Sequence, residues 1–158
     1  MSTKLNGNRA DVEELVYESC MLMDERNWNG FLGLCDDNFE YMLTAYSPEI
    51  KKDMTFLDHD RAELKDLFDL LPRHNTDRAP LTRNATVYKV DYDDAKKQAN
   101  VVSTFQIFKT TLDGGRTGLF AIGKYYDTVS LGGAKPTLVK RHVKLDTRDL
   151  AVGSHYPF

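Results

Sequence analysis

The segment from residue 118 to residue 150 reads GLFAIGKYYDTVSLGGAKPTLVKRHVKLDTRDL, and its composition decides the fold. Two runs rich in β-branched and aromatic residues, typical of strands, flank the glycine-rich stretch LGGA. A short turn between consecutive strands requires antiparallel pairing. The preceding stretches LTRNATVYKVD and ANVVSTFQIFKTTL have the same strand-like composition and similar turns between them. The second half of the chain is therefore predicted to form an antiparallel sheet.

The first half of the chain has the periodicity of helices. Apolar residues recur at spacings of three and four from Ala10 to Arg26, and Asn8 stands where a helix cap is expected. Phe31 lies in a short second helix, and the strand-like run FEYMLTAY follows it. A third helix is predicted over DHDRAELKDLFDLLP, with Asp58 as its cap and Pro72 at its end.

This order of elements predicts an α+β fold. Helices dominate the first half, and the mostly antiparallel sheet is expected to curl and bury its concave face against them. The chain has 158 residues, a length that suits one core of ordinary size. The sequence contains no repeat, low-complexity run or interdomain linker, so residues 1–158 are interpreted as one domain.

Composition and charge exclude several classes of partner. Twenty-one basic and 24 acidic residues give a net charge of −3, and no arginine-rich run offers a patch for phosphates, so nucleic acid is not an expected partner. The N-terminal stretch MSTKLNGNRADVEE lacks the apolar region of a signal peptide. No stretch approaches the roughly 18 apolar residues of a membrane span. We therefore expect a cytoplasmic protein with no membrane partner.

Part of the opening segment matches a phosphate-binding loop. Gly118, Gly123 and Lys124 fit the pattern G-x-x-x-x-G-K-S/T, but Tyr125 stands where a hydroxyl would coordinate magnesium. A phosphate loop also requires a helix directly after it, whereas strand-like residues follow here. The glycines are therefore interpreted as permitting a bend or a close backbone approach in a curved strand.

The sequence predicts no catalytic residue, cofactor site or metal site in this chain. Four histidines are present, without the spacing of a ligand pair: His59, His74, His142 and His155. His59 is interpreted as helix surface and His142 as part of the polar face of its strand. Cys20 and Cys35 have no second ligand nearby and are expected to be reduced, packed thiols. Signatures of a serine or cysteine nucleophile are absent from the sequence.

One arginine shares the apolar face of the last strand. The alternation in KPTLVKRHVKL places four side chains together on that face: Val139, Arg141, Val143 and Leu145. Three explanations for Arg141 remain open. Its stem packs while its head reaches the rim of the sheet, it pairs with a buried carboxylate such as Asp127 or Asp146, or it lies at a subunit contact.

The last residues of the sequence form a second unusual feature. The run HYPF places Tyr156 and Phe158 together, and an exposed tail rarely needs two aromatic residues. They are predicted to dock either on the domain's own core or in the pocket of a partner.

Several of these stretches together resemble the small, or beta, subunit of aromatic-ring-hydroxylating Rieske non-haem iron oxygenases, within the NTF2-like (SnoaL-like) superfamily. FAIGKYYD resembles the family strand F-x-x-G-x-Y-x-D through Phe120, Gly123, Tyr125 and Asp127. LVKRHVKLDTRDL resembles its last strand and exit through Arg141, Val143, Asp146 and Leu150. LTRNATVYKV resembles its third-strand segment through Arg83, although Asn84 stands where many members carry histidine.

The resemblance implies a cone-shaped fold and a non-catalytic helper subunit of an oxidoreductase. In such mono- or dioxygenases the alpha subunit carries the Rieske iron–sulfur cluster (2Fe-2S) and a mononuclear iron, and the beta subunit binds neither. Three alpha subunits commonly assemble with three beta subunits, and a reductase or ferredoxin delivers electrons. The expected substrate is an aromatic or other small organic acid. The residues expected to serve structure or subunit contact are Arg83, Phe120, Gly123, Tyr125, Asp127, Arg141, Asp146, Tyr156 and Phe158.

Two other functions of the same fold remain open. A free-standing isomerase or dehydratase would use a carboxylate in the cone cavity, and Glu40 is the one carboxylate that the first strand offers. A ligand-binding homodimer would line a pocket with Tyr17, Tyr41 or Tyr88.

Overall fold

The computed structural model describes residues 8–74, 77–150 and 157–158. Its helices are α1 (Arg9–Asp24), α2 (Trp28–Gly33) and α3 (Arg61–His74). Its strands are β1 (Cys35–Ser47), β2 (Lys52–Asp60), β3 (Leu81–Asp93), β4 (Gln98–Thr110), β5 (Thr117–Ser130) and β6 (Thr137–Leu145). Helices packed on a sheet confirm the α+β prediction. Within the described residues, no helix is long and apolar enough to cross a membrane.

All six strands belong to one open sheet in the order β2-β1-β6-β5-β4-β3. The pairing of β1 with β6 is parallel, and the other four pairings are antiparallel. The register shifts within each of these pairings, for example between Val87 and Lys89 in β3. Such bulges increase the twist and bend of a strand. The sheet is therefore mostly antiparallel, as predicted.

The helices pack on one side of the sheet, which we call the inner face. Helix α1 contacts β3, and helix α3 contacts β1 and β2. The stripe of α1 that faces the sheet is buried: Val12, Leu15, Val16, Ser19, Cys20 and Met23. Buried side chains from five of the strands, all except β2, meet this stripe in the core, and β2 adds the partly buried Met54 and Leu57. The opposite side, which no described helix covers, is the outer face.

Strand β2 is the main element that the sequence did not predict. Its sequence KDMTFLDHD places Met54 and Leu57 on the inner face, where both are half-buried, and most of its other side chains are exposed. The register shift between Leu43 and Thr44 leaves one extra residue of β2 between these two side chains, so the usual alternation of apolar and polar residues is missing. His59 consequently lies in this strand, not on a helix surface as predicted.

The ends of the helices agree only in part with the sequence. Asn8 caps α1 as predicted, because its Oδ1 accepts the backbone N–H of Asp11 at 2.9 Å. The predicted cap of α3, Asp58, is wrong: Asp58 lies in β2, and the Oδ1 of Asp60 accepts the backbone N–H of Glu63 at 2.8 Å. Pro72 lies inside α3, which continues to residue 74.

The predicted face of Val139 is also wrong. Leu138 is fully buried and Val139 is half-buried. The register explains the difference: Thr128 pairs with Lys140, but Val129 pairs with Leu138, so Val139 is an extra residue in the ladder. One such residue reverses the alternation of faces for the part of the strand that precedes it.

Candidate functional site

Arg141 forms a buried ion pair with Asp127 on the inner face. The two residues lie directly opposite each other on β6 and β5. Arg141 Nε donates to Asp127 Oδ1 at 2.9 Å, and its Nη2 donates to Oδ2 at 3.0 Å. The side chains are 1% and 0% exposed. Of the three explanations for Arg141, the structure shows the buried pair, while Asp146 is exposed.

Aromatic rings enclose the guanidinium of Arg141. Its Cζ lies 4.2 Å from the centroid of the Tyr125 ring and 6.0 Å from that of Phe31. A cation over an aromatic face is stabilised by the ring quadrupole, most strongly where water is excluded. Burial disfavours the charged form of Arg141, but the Asp127 carboxylate outweighs burial and raises its pKa. The arginine is therefore a fixed positive charge inside the core.

The buried groups around this ion pair are held in their neutral forms. Burial raises the pKa of the Cys20 thiol, and it raises that of Cys35 to about 12, although Arg141 opposes both shifts. Burial also raises the pKa of the Tyr125 hydroxyl. A thiol that stays protonated is a poor nucleophile and a poor metal ligand. Both cysteines are free and buried, as predicted.

Arg83 joins helix α1, strand β3 and the end of the sequence. Its Nη1 donates to Asp24 Oδ1 at 2.7 Å, and its Nη2 donates to the Pro157 carbonyl at 3.3 Å. The Asp24 carboxylate also accepts the backbone N–H of Arg83. These charge-assisted bonds fix the entry of β3 against the last turn of α1. Asp24 is the partner that the sequence did not reveal.

Phe158 docks on the chain's own core. It is 1% exposed, and its ring meets that of Phe120 edge to face at a centroid distance of 5.9 Å. Its backbone N–H donates to the Tyr41 hydroxyl at 2.7 Å, and that hydroxyl donates to the Phe158 carbonyl at 3.2 Å. The other aromatic residue of this run, Tyr156, lies outside the described residues.

The segment that resembles a phosphate loop lies within strand β5. Gly123 faces inward at a close approach of strands: a Cβ at this position would collide with the Lys144 carbonyl oxygen and lie 2.9 Å from Phe105 Cζ. Around Gly118, in contrast, nothing lies within 4 Å of an added Cβ. The close approach that was predicted for the glycines therefore applies to Gly123 alone.

Replacing Gly123 with alanine is expected to destabilise the chain by about 1–3 kcal/mol, the usual cost of overpacking. The backbone of β6 would have to move, because the carbonyl of Lys144 cannot rotate away. Urea unfolding monitored by circular dichroism measures the effect. The matched control is Gly118→Ala, which has open space. Equal midpoints for the two variants would contradict the assigned close approach.

His142 lies on the outer face, as predicted, between two lysines. Its Nε2 is 2.8 Å from the Thr44 hydroxyl oxygen. Partial burial lowers the pKa of His142 below the usual 6.5, and the positive charges of Lys144 and Lys140 lower it further. The negative charge of Asp53 opposes these effects. In the unfolded chain the imidazole binds its proton near pH 6.5, whereas the folded chain resists protonation. Protonation of His142 therefore favours the unfolded chain. The free energy of unfolding is fully retained above pH 6.5 and decreases as the pH falls below that value.

The prediction for His142 is a proton-NMR titration with an apparent pKa below 6.5. Replacing Lys144 with glutamine should raise that pKa, because a repelling charge is removed. The control Lys96→Gln changes an exposed lysine in a turn and should leave it unchanged. An unchanged pKa in Lys144→Gln would contradict the assigned electrostatic cause.

The residues required by the other two functions do not converge on one site. Glu40 is exposed. Tyr41 is fully buried, whereas Tyr17 is 39% exposed and Tyr88 is 61% exposed. The Tyr17 hydroxyl accepts the backbone N–H of Val87, so it serves the contact between α1 and β3. Within the part of the chain that the structure describes, no three histidine, cysteine or acidic residues are grouped to hold a metal ion.

Comparisons with known proteins agree with this architecture. The beta subunit of benzoate 1,2-dioxygenase from Burkholderia mallei superposes with a TM-score of 0.67 at 14% identity, covering 87% of this chain and 90% of that chain. At this identity the likeness shows the fold alone. The fold is therefore of the NTF2-like type that the sequence resembles.

Sequence comparison identifies the family. The methanesulfonate monooxygenase hydroxylase subunit beta of Methylosulfonomonas methylovora is 42% identical over 153 residues, covering 92% of this chain and 84% of that protein. The 2-aminobenzenesulfonate 2,3-dioxygenase subunit beta of an Alcaligenes species is 27% identical over 146 residues, covering 92% of this chain and 96% of that protein. The family described as ring hydroxylating beta subunit matches residues 18–151. The chain, with its buried ion pair and its docked Phe158, thus belongs to the ring-hydroxylating beta subunit family.

Proposed function

We propose that this chain is the structural beta subunit of a multicomponent oxygenase and braces an iron-bearing alpha subunit. The observation that carries the proposal is the family match over residues 18–151. The inner face supports it, because Arg141 and Asp127 satisfy each other in a bidentate pair and Arg83 is engaged by Asp24. Side chains committed in this way stabilise a scaffold and are poorly placed to carry protons for a reaction.

In the proposed assembly, three beta subunits join three alpha subunits in the cytoplasm. The alpha subunit carries the Rieske cluster and the mononuclear iron, and a reductase or ferredoxin supplies its electrons. Arg83, Phe120, Gly123, Tyr125, Asp127, Arg141 and Phe158 maintain the shape of the beta subunit, and exposed Asp146 and Tyr126 belong to surfaces available for contact.

We further propose that the oxygenase acts on a small sulfonated organic acid. The two curated relatives are named for methanesulfonate and 2-aminobenzenesulfonate, which share a sulfonate group and differ in the presence of a ring. A shared anionic group with a variable remainder favours recognition of the sulfonate itself. In the proposed assembly the pocket that recognises it belongs to the alpha subunit.

The test is co-expression with a ring-hydroxylating oxygenase alpha subunit from the same genome as this chain. We expect a tagged alpha subunit to co-purify this chain in equal amounts and to consume oxygen with a sulfonate in the presence of reductant. Alpha subunit alone and this chain alone are the controls, and benzoate is the comparison substrate. The absence of this chain from the purified alpha subunit would overturn the structural role, and a preference for benzoate over both sulfonates would overturn the substrate class.

A further inference from the structure

Side chains from three different strands hold the dipeptide Pro157–Phe158, and we call Tyr41, Arg83 and Phe120 the inner-face site. Arg83 in β3 donates from its Nη2 to the Pro157 carbonyl at 3.3 Å. The hydroxyl of Tyr41 in β1 accepts the backbone N–H of Phe158 at 2.7 Å and donates to its carbonyl at 3.2 Å. Phe120 in β5 meets the Phe158 ring edge to face. The dipeptide is therefore bound through one ring, two carbonyl acceptors and one N–H donor.

The inner-face site is withdrawn from solvent. The side chain of Arg83 is 2% exposed, and Tyr41 is fully buried. Burial raises the pKa of Tyr41, so its hydroxyl keeps the proton that it donates to the Phe158 carbonyl. An enclosed, mostly apolar site with a few fixed polar groups is typical of the pockets that bind small ligands.

The inner face near this site has more hydrogen-bonding capacity than the dipeptide uses. Among the described residues, the hydroxyls of Ser103 and Tyr125 and the Nε of Arg83 are buried and have no hydrogen-bond partner. Ser103 and Tyr125 pair across β4 and β5, and both are fully buried. Burial is the main cause of the raised pKa of Tyr125, and Arg83 and Tyr41 also act on that pKa. Because an apolar core leaves few polar groups unpaired, this grouping distinguishes the region from ordinary packing.

The polar groups of the inner-face site are positioned by contacts other than the dipeptide. The Asp24 carboxylate binds both the guanidinium and the backbone N–H of Arg83. Tyr41 lies in β1, where it pairs with His59 on one side and Arg141 on the other. A site whose groups are fixed in advance loses little entropy when a ligand binds. We therefore expect the site to keep its geometry when its occupant is exchanged.

We propose that the inner-face site binds an aromatic ring that carries two carbonyl acceptors and an N–H donor, and that Pro157–Phe158 is its resident occupant. A separate molecule of the same chemistry takes this place when the ring of Phe158 is removed. The proposal concerns the chain by itself, so its failure would leave the proposed role beside an alpha subunit unchanged.

The test uses the full-length variant Phe158→Ala and the probe acetyl-Pro-Phe-amide. Isothermal titration calorimetry measures binding, and thermal unfolding measures stabilisation. We expect the melting temperature of the variant to rise with probe concentration, because a ligand that binds only the folded chain stabilises it. The wild type, whose Phe158 ring already fills the site, should show no such rise.

Two controls identify the chemistry that is recognised. The probe acetyl-Pro-Ala-amide lacks the ring and should bind at least ~10-fold more weakly, because ring burial is lost. Adding Tyr41→Phe to the variant removes one hydroxyl and should weaken binding of the aromatic probe by ~5-fold or more. The matched change Tyr88→Phe alters a tyrosine that is 61% exposed and should leave the affinity unchanged.

Equal affinity for the two probes would overturn the proposal, as would a Tyr41→Phe change without effect on the affinity. If Phe158→Ala binds no probe or does not fold, the chain shortened by Pro157 and Phe158 decides, because no dipeptide then competes. The aromatic probe should bind this chain, or restore its folded circular dichroism spectrum, and the alanine probe should do neither. Failure of both chains to respond to the aromatic probe would overturn the proposal.

Discussion

Replacing Arg141 with methionine is expected to lower the free energy of unfolding by about 3–5 kcal/mol. The change leaves the Asp127 carboxylate inside the core without its counter-ion, and it removes two hydrogen bonds. Desolvation of an unpaired charge, more than the loss of attraction itself, causes most of this effect. Urea unfolding followed by both circular dichroism and fluorescence measures it.

The double variant Arg141→Met/Asp127→Leu separates these contributions. Replacing a buried ion pair with apolar side chains is often neutral, so this variant should recover most of the stability that the single change removes. The double-mutant cycle then gives the coupling energy of the pair. A single variant within about 0.5 kcal/mol of the wild type, the scatter of an uninvolved surface position, would contradict the assigned burial.

The same pair of variants distinguishes a structural role from an interface role for Arg141. The ion pair lies on the inner face, and both of its side chains are buried within this chain. The double variant should therefore assemble like the wild type. Loss of assembly in a double variant of normal stability would place Arg141 at a subunit contact after all.

Arg141 shows which features of a buried ion pair can be predicted from a sequence and which cannot. Alternation along the strand placed the arginine on the apolar face, and the structure agrees. The choice between Asp127 and Asp146 was out of reach, because it depends on the register between β5 and β6. That register includes the extra residue Val139, and a local bulge leaves no periodic signal in a nine-residue strand.

Contacts between residues far apart in the sequence were the second feature that could not be predicted. The resemblance singled out Arg83, but its carboxylate partner Asp24 lies 59 residues earlier on a helix. Asp24 is one of many acidic residues on helices, which are usually solvated, so nothing in the local pattern marks it. Strand β2 was missed for a different reason, since the extra residue between Met54 and Leu57 breaks the alternation of apolar and polar residues.

Replacing Phe158 with alanine is the second large effect, with an expected loss of about 3–5 kcal/mol. The phenylalanine ring is fully enclosed and contacts Phe120, so its removal leaves a cavity among side chains from distant parts of the chain. Rigid strands on either side limit how far the core can collapse into that space. Thermal and urea unfolding should both show the loss.

Two controls identify the source of this effect. Tyr41→Phe keeps the aromatic ring but leaves the buried Phe158 backbone N–H without its acceptor, which should cost about 1–3 kcal/mol. Phe56→Ala removes a ring that is 41% exposed and should cost less than the Phe158 change. If Phe158→Ala were no worse than Phe56→Ala, the docked position would contribute little to the core. If it were worse and still assembled with the alpha subunit at low temperature, Phe158 would serve this chain's own stability and not a partner's pocket.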